Sequence, residues 1–214
     1  MKVIGLIADI VASRDIPDRG EFQTNLGKIL NQVSSSAGSM LISPYTITLG
    51  DEFQAMYRGA GRLFRDLAVI LLATYPTKIR FALSHDALLT EINPNAAIGM
   101  DGPAFGNARK LLTSMKSVNR TMIQIARRGS RTPDLVNASL RVLSNDIDGW
   151  NRTAVGCLRC LLDGRSVDEM VELLAVKIRT IYKSIRTHNI RDHVVLLQAI
   201  EALLDAEGSD SRVD

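Results

Sequence analysis

Two aspartates from distant parts of the sequence are placed where they could share a metal ion. Asp9 ends a short apolar run, residues 2–9 (KVIGLIAD), and Asp51 lies in a Gly-Asp turn between two apolar segments. Two carboxylates and a backbone carbonyl, here that of Ile10, suit a Mg²⁺ ion that keeps several waters and also takes phosphate oxygens. We therefore expect Asp9, Ile10 and Asp51 to hold Mg²⁺ (or Mn²⁺) beside a nucleotide.

Two stretches of the chain are basic and contain no acidic residue. The first runs over residues 109–133 and the second over residues 177–191, although the net charge of the whole chain is only +3. Local clusters of Lys and Arg are typical of phosphate-binding surfaces, and they are equally typical of solvated faces. The sequence thus indicates two places where phosphate could bind, one in each half of the chain.

The length and composition of the chain limit the class of protein it can belong to. The chain has 214 residues, of which 46% are hydrophobic, so it can bury a proper core. Its two cysteines cannot build a disulfide framework, and no apolar run approaches the roughly 20 residues of a membrane span. We expect a soluble, cytoplasmic protein with no membrane partner.

The acids and cations of the N-terminal half must be positioned by a sheet. Apolar runs predict strands over residues 2–9, 44–49, 52–57 and 78–84, and helical spacing predicts helices over 18–36 and 59–74. This β-α-β-β-α-β order is the ferredoxin-like plan, in which the first and third strands are central neighbours. Asp9 and Asp51 therefore arrive at the same edge of the sheet. A helix over 103–116, a strand over 121–126 and a helix over 132–145 follow.

From residue 153 onward the pattern predicts only helices, over 153–162, 167–174, 178–187 and 192–206. Ser166 and Glu169 form a capping-box pair at the start of the second of these, and residues 175–177 form a short turn. This pattern is that of a helix-turn-helix, with residues 178–187 as the recognition helix and Ile178, Ile181 and Ile185 facing inward. The predicted DNA-binding residues are Lys177, Arg179, Thr180, Tyr182, Lys183 and Arg186. A small helical bundle that serves dimerisation is the alternative.

The predicted fold class is α+β, a ferredoxin-like sheet domain followed by an all-α helix-turn-helix domain. The expected boundaries are a ferredoxin-like domain over 1–131, a linker helix over 132–150, a helix-turn-helix domain over 151–207 and a disordered tail over 208–214. The last helix is apolar on more than one side, which favours a homodimer seam.

Four short motifs carry a resemblance to known families. ADIVASR (8–14) and GDEFQ (50–54) resemble the two metal motifs of the nucleotidyl-cyclase and GGDEF palm superfamily. Together with EINP (91–94) and DGPAFGNARK (101–110), in this order and spacing, they resemble the SatD family more closely. That resemblance covers essentially the whole chain, including the C-terminal helices.

The resemblance also suggests nucleotide-binding residues. Beside the metal motifs, Gly50 lets the backbone approach a phosphate, and Ser13 and Arg14 are within reach of it. Residues 99–111 (GMDGPAFGNARKL) resemble the cyclase segment that carries an Asp, then an Asn, then an Arg. By this resemblance Asp101 would contact a base or ribose, and Asn107 and Arg109 would hold phosphate near a helix start. Three positions depart from active cyclases: Ile47 stands where the base-selecting residue would be, Leu111 where the conserved arginine would be, and Leu49 replaces a glycine.

These observations lead to one expected function and two alternatives. We expect a DNA-binding transcriptional regulator whose palm-like domain binds a nucleotide with Mg²⁺. The first alternative is a metal-dependent nucleotidyl cyclase or nucleotidyltransferase that its helix-turn-helix regulates or localises. The second is a structural or assembly protein, since a fold by itself does not decide function.

Overall fold

The computed structural model of the protein describes residues 2–127 and 133–209. Its strands are β1 (Lys2–Ile10), β2 (Leu41–Leu49), β3 (Glu52–Tyr57), β4 (Ile79–Ala87) and β5 (Met122–Arg127). Its helices are α1 (Arg19–Ser36), α2 (Leu63–Thr74), α3 (Pro103–Met115), α4 (Pro133–Asp148), α5 (Arg152–Leu162), α6 (Val167–Leu174), α7 (Ile178–Thr187) and α8 (Ile190–Ser209). The mixed α+β class predicted from the sequence is confirmed.

The strands form one five-stranded sheet in the order β2-β3-β1-β4-β5. All neighbouring pairs are antiparallel except β4 and β5, which are parallel. The central strand β1 pairs with both β3 and β4, so Asp9 lies opposite Glu52 on one side and opposite Arg80 on the other. This register decides which charged side chains meet at the end of the sheet.

Both faces of the sheet are covered, which explains why β1 is apolar along nearly its whole length. Ile4, Leu6 and Ala8 point into a core with α1 and α2, whereas Val3 and Ile7 point into a smaller core with α3. A strand buried on both faces has no need of polar alternation. Asp9, one step after Ala8, therefore points toward the α3 side.

Gly5 allows α3 to pack directly against β1. A Cβ atom at this position would lie 2.9 Å from the backbone carbonyl oxygen of Ala104, in the first turn of α3. The nearest obstacle is backbone, so it cannot rotate away as a flexible side chain would. The close approach of β1 and α3 consequently depends on the missing side chain.

We expect Gly5→Ala to lower the free energy of unfolding by about 1–3 kcal/mol, because α3 must move away from the sheet to admit the methyl group. Urea denaturation of both proteins measures this difference. Gly106→Ala, in the same helix but with no atom within 4 Å of the added Cβ, is the matched control. It should be neutral or slightly stabilising, since alanine favours a helix. Equal effects of the two substitutions would contradict the packing argument.

α4 lies along the edge of the sheet, whereas the sequence predicted a helix that leaves the domain. Its side chains bond the backbone of the edge strand β5 and the residue before it. Asn137 pairs with both the N–H and the carbonyl of Ile125 at 2.9 Å, and Ser144 accepts from the N–H of Ile123 at 3.0 Å. These bonds satisfy backbone groups that an exposed edge strand would leave open. The predicted boundary at residues 131–132 lies outside the described residues.

The C-terminal helices share one hydrophobic core with the sheet. α2 is buried around most of its circumference because it lies between the sheet and α5. The apolar cluster is continuous from Leu6 and Phe81 of the sheet, through Leu67 of α2, to Leu158 of α5 and Ile181 of α7. The division into two domains stays a prediction. α8 extends to Ser209, and the remainder of the predicted tail, 210–214, lies outside the described residues.

Two acids of α8 bind backbone N–H groups at and just before the start of α2, which has no side-chain cap of its own. Asp205 accepts from the backbone N–H of Ala60 at 2.6 Å, and Glu201 accepts from that of Phe64 at 3.1 Å. Free N–H groups at a helix start favour such acceptors. Burial is the main cause that raises the pKa of Glu201 to about 7; the hydrogen bond from Phe64 opposes the rise, and the nearby carboxylates of Asp205 and Asp66 add to it.

The raised pKa of Glu201 predicts a pH-dependent cost of folding. Because the folded protein holds this proton more tightly than the unfolded chain, whose value is 4.5, stability falls as the pH rises from about 4.5 to about 7. Glu201→Gln keeps an acceptor for Phe64 and removes the charge. We expect it to stabilise the protein by about 1 kcal/mol at pH 8, a value reduced for partial exposure of the carboxyl, and to change little at pH 4. Urea denaturation at both pH values measures it.

The control for that experiment is Glu172→Gln, which neutralises an exposed carboxylate on α6. Its effect should not vary with pH in the same window. A destabilisation by Glu201→Gln of equal size at pH 4 and pH 8 would show that the charge of Glu201 carries no folding cost.

Candidate functional sites: a buried ion cluster and a basic helix face

Asp9 lies at the end of β1, where its carboxylate is bound by a guanidinium group. Arg80 donates from Nε to Oδ1 at 2.8 Å and from Nη2 to Oδ2 at 2.9 Å. The remaining nitrogen, Nη1, donates to the carbonyls of Lys116 and Val118, just beyond the C-terminal end of α3. Both side chains are buried, Asp9 with 3% and Arg80 with 7% of its surface exposed. Neither oxygen of Asp9 is without a cationic partner.

Glu52, opposite Asp9 on β3, is the second acid of this cluster. Arg109 and Lys116 of the α3 region bind its two oxygens, Lys116 at 3.0 Å. Burial opposes the charge of Glu52, but the hydrogen bonds from Arg109 and Lys116 outweigh it and lower the pKa of Glu52 below its usual value. We call Asp9, Glu52, Arg80, Arg109 and Lys116 the ion cluster. It joins β1, β3 and β4 to α3.

Asp51 lies in the hairpin turn beside the end of β1, as predicted. Its backbone carbonyl accepts from the N–H of Ile10 at 3.0 Å, and its Oδ2 accepts from the hydroxyl of Ser13 at 2.7 Å. Gln23 of α1 donates to the carbonyl of Gly50 at 2.6 Å. The structure therefore brings Ile10, Ser13 and Gly50 together around Asp51, and Arg14 follows them as an exposed side chain.

The predicted metal site at Asp9, Ile10 and Asp51 does not fit this arrangement. The segments meet, but the carboxylate of Asp9 already binds a buried guanidinium, and that of Asp51 bonds to Ser13. In the described ranges, 2–127 and 133–209, no three His, Cys, Asp or Glu side chains are grouped to hold a metal ion. The physical reason is Arg80, which supplies the positive charge in the place where the sequence predicted Mg²⁺ or Mn²⁺.

The other predicted nucleotide-binding residues fall into two places. Arg109 belongs to the ion cluster, whereas Asp101 and Asn107 line an open groove of about 940 Å³ between α3, β5 and α4. Asn107 donates to Oδ2 of Asp86 at 3.0 Å, and the carbonyl of Asp101 accepts from the N–H of Leu89 at 3.0 Å. Lys110 is a further cation of this groove. Arg109 and the groove residues thus lie on different sides of α3.

Helices α6 and α7 have the predicted bounds and the predicted turn between them. Ser166 accepts from the N–H of Glu169, and Glu169 accepts from that of Ser166, which is the capping box expected from the sequence. Ala175 ends α6 in the left-handed region with φ of 51°, a conformation in which glycine is the usual residue. The absence of that glycine did not prevent the turn.

The outer face of α7 is cationic. Ile181, Ser184 and Ile185 are buried, so Arg179, Lys183 and Arg186 point away from the core at helical spacing. Lys177, Thr180 and Tyr182 are exposed as well, and an open groove of about 770 Å³ runs along α7 to Arg191 and Asp192 at the start of α8. Ile178 was predicted to face inward, but 46% of its surface is exposed because α7 begins there, at the edge of its contact with the core.

Arg80 is the site residue that the sequence argument missed. It is a single cation in the otherwise apolar strand KIRFALS, and a charge buried in a strand needs an acidic partner. The register of β1 and β4, which places Arg80 opposite Asp9, would have identified that partner. Lys116 was noticed only as part of a basic stretch.

Comparison with known families decides the relationship of the chain. The model of the SatD family matches residues 3–186, which include the sheet, the ion cluster and helices α4 to α6 with most of α7. The chain belongs to the SatD family. The resemblance stated from its four motifs is therefore confirmed.

Solved structures resemble only part of this SatD family protein. Two structures of a bacterial light-regulated adenylyl cyclase match 58% of the chain, at 17% and 16% identity and TM-scores of 0.42 and 0.41. The match spans 43% of the length of each cyclase chain, and the light-regulated activity is a property of those proteins. A comparison with curated proteins finds no match. Among the described helices of the SatD family protein, none is long and apolar enough to cross a membrane.

Proposed function

We propose that this SatD family protein is a DNA-binding transcriptional regulator that reads DNA with α7. The observation that carries the proposal is the outer face of this helix. Lys177, Arg179, Lys183, Arg186 and Arg191 are exposed, and none of them forms an ion pair within the part of the chain that the structure describes. Surface cations that protein acids do not neutralise are available to phosphate.

The geometry of α7 supports an approach to the major groove. An α-helix with its side chains is about 10–12 Å across, and the major groove of B-DNA is about 12 Å wide, so α7 can enter it. In helix-turn-helix proteins the N-terminal half of the recognition helix contacts base edges. Arg179 holds that position here and Lys183 follows one turn later, whereas Arg186 and Arg191 would meet phosphates on either side.

Selection from a pool of duplexes with randomised sequence tests this function. We expect the protein to enrich a short common motif, because a recognition helix contacts only a few base pairs directly. If the protein retained DNA from the pool at saturation but enriched no motif, its binding would be general phosphate binding without sequence preference. A pool that is not retained at all would contradict DNA binding.

We also propose that the DNA-bound form is a homodimer, paired through the outer face of α8. Val195 and Leu203, two turns apart on this helix, have 65% and 36% of their surface exposed, with alanines between them. Paired units would present two copies of α7 to two half-sites. Sedimentation velocity should show a dimer that Val195→Glu dissociates, while a monomer at tens of micromolar would contradict this seam.

A nucleotide ligand is a second proposed activity, at the groove beside α3. The specific support is that Asp101, Asn107 and Lys110 line one groove, which gives a carboxylate for a hydroxyl and donors for phosphate. ATP or GTP in excess should raise the melting temperature. Lys110→Ala should remove this rise in melting temperature. If none of the four nucleoside triphosphates raised the melting temperature of the wild type, nucleotide binding would be contradicted.

The enzymatic alternative, a nucleotidyl cyclase or nucleotidyltransferase, has less support. It requires a metal ion between the nucleotide and acids such as Asp9, whose oxygens are both bound by Arg80. Pyrophosphate release from any nucleoside triphosphate, abolished by Asp51→Ala, would restore it. A purely structural role would be favoured if neither DNA nor a nucleotide binds.

A further inference from the structure

We infer that Arg80 supplies the positive charge beside Asp9 that a divalent metal ion would otherwise supply. The protein therefore binds no metal ion at Asp9. The inference rests on the contacts of the ion cluster, and it is independent of DNA binding by α7. It concerns whether a metal ion can bind at the end of β1.

The first argument is that Asp9 and Arg80 already bind each other through both carboxylate oxygens. The guanidinium of Arg80 donates to two carboxylate oxygens of Asp9 and to two backbone carbonyls, those of Lys116 and Val118. A planar group held on three sides has no alternative rotamer that keeps these bonds. A metal ion at Asp9 would have to share the carboxylate with Arg80 or displace the guanidinium.

The second argument is the cost of such a displacement. Asp9 and Arg80 are both more than nine-tenths buried, and Arg80 is held between β4 and the carbonyls that follow α3. Breaking a buried ion pair leaves an uncompensated charge. The gain from binding Mg²⁺, which usually keeps several of its waters and takes only one or two protein carboxylates, does not offset this loss.

The third argument is the charge balance of the ion cluster. Its two acids, Asp9 and Glu52, already face three cations, Arg80, Arg109 and Lys116. A divalent ion added here would meet net positive charge, which disfavours its binding.

The cluster has a positive role as well. Because Arg80 binds the carbonyls that follow α3, it fixes the C-terminal end of that helix to β1 and β4. Lys116 and Arg109 bind Glu52 from the same helix region and add a second attachment. A fixed guanidinium thus holds α3 over the sheet at every metal concentration.

The test uses Mn²⁺ alone as a paramagnetic probe on the full chain. Amide resonances of Ile10 and Arg80 are followed by NMR while Mn²⁺ is added. The inference predicts no selective broadening of these amides. Selective loss of both signals at micromolar Mn²⁺ in the wild type would overturn it, and this measurement requires no variant.

A variant supplies the complementary result. Arg80→Gln removes the cation beside Asp9 and leaves that carboxylate free to bind another. In protein shown to be folded by circular dichroism, we expect Mn²⁺ affinity to rise about tenfold or more and to fall back in Asp9→Asn/Arg80→Gln. A folded Arg80→Gln protein that binds Mn²⁺ no better than the wild type would mean that Arg80 does not occupy a cation site.

Discussion

Replacement of Arg179, Lys183 and Arg186 together by alanine is expected to weaken binding to duplex DNA by about 100-fold or more. These side chains form the centre of the exposed face of α7, and Ile181 and Ile185 hold the opposite face in the core. Loss of an arginine that contacts a base costs about 1–3 kcal/mol, and loss of a phosphate contact weakens binding to all sequences. Fluorescence anisotropy with a labelled duplex measures the change.

The control for this experiment removes the same charge from other surfaces. Lys28, Arg58 and Arg141 are exposed cations on α1, after β3 and on α4, and none has an ion-pair partner among the described residues. Their triple alanine variant has the same net charge as the α7 variant. If both variants lost affinity equally, binding would depend on total charge, and α7 would have no special role.

The second large effect concerns the stability of the ion cluster. We expect Asp9→Asn and Arg80→Gln each to lower the free energy of unfolding by about 3–5 kcal/mol, because each leaves the other charge buried without its partner. The double variant should cost clearly less than the sum of the two, since its two amides are neutral and can bond to each other. Urea denaturation of the four proteins at one pH gives the coupling energy.

An arginine at the surface provides the comparison for the Asp9 and Arg80 variants. Arg165 also binds a carboxylate, that of Glu169, but both side chains are close to half exposed. Exposed pairs contribute little, so Arg165→Gln should have a much smaller effect than Arg80→Gln. Additive costs of Asp9→Asn and Arg80→Gln would show that the two side chains do not stabilise the fold as a pair.

Much of the fold follows from local patterns in the sequence. The apolar run of β1, the spacing of Leu26, Leu30 and Val33 in α1, and the Ser166–Glu169 capping box each specify one element without reference to the rest of the chain. Such features depend on periodicity and on neighbours within a few residues. The bounds of α6 and α7 were therefore predicted to the residue.

The tertiary partners were not available from the same patterns. Asn137, Ser144 and Asp148 look like ordinary polar helix residues, yet they satisfy the backbone of β5 and the residue before it. Glu201 and Asp205 cap a helix that begins about 140 residues earlier. Long-range partners of this kind depend on the packing of whole elements, so a sequence argument that proceeds element by element does not reach them.

The candidate site shows the same limit. The sequence correctly placed Asp9 and Asp51 at one end of the sheet, because strand order decides where strand ends meet. It could not decide what the carboxylate of Asp9 binds, since a metal ion and a guanidinium satisfy the same charge. The one residue that distinguishes them, Arg80, comes from a strand 70 positions later.

The central claim, that α7 binds DNA, is tested most directly by the salt dependence of binding. The affinity of the full chain for a duplex is measured by fluorescence anisotropy between about 50 and 200 mM salt, a range over which phosphate contacts change it strongly. We predict a linear decrease of log affinity with log salt and a slope of about −3 to −4, as expected for roughly four phosphate contacts. No binding at the lowest salt, or an unchanged slope after alanine replaces Arg179, Lys183 and Arg186, would contradict it.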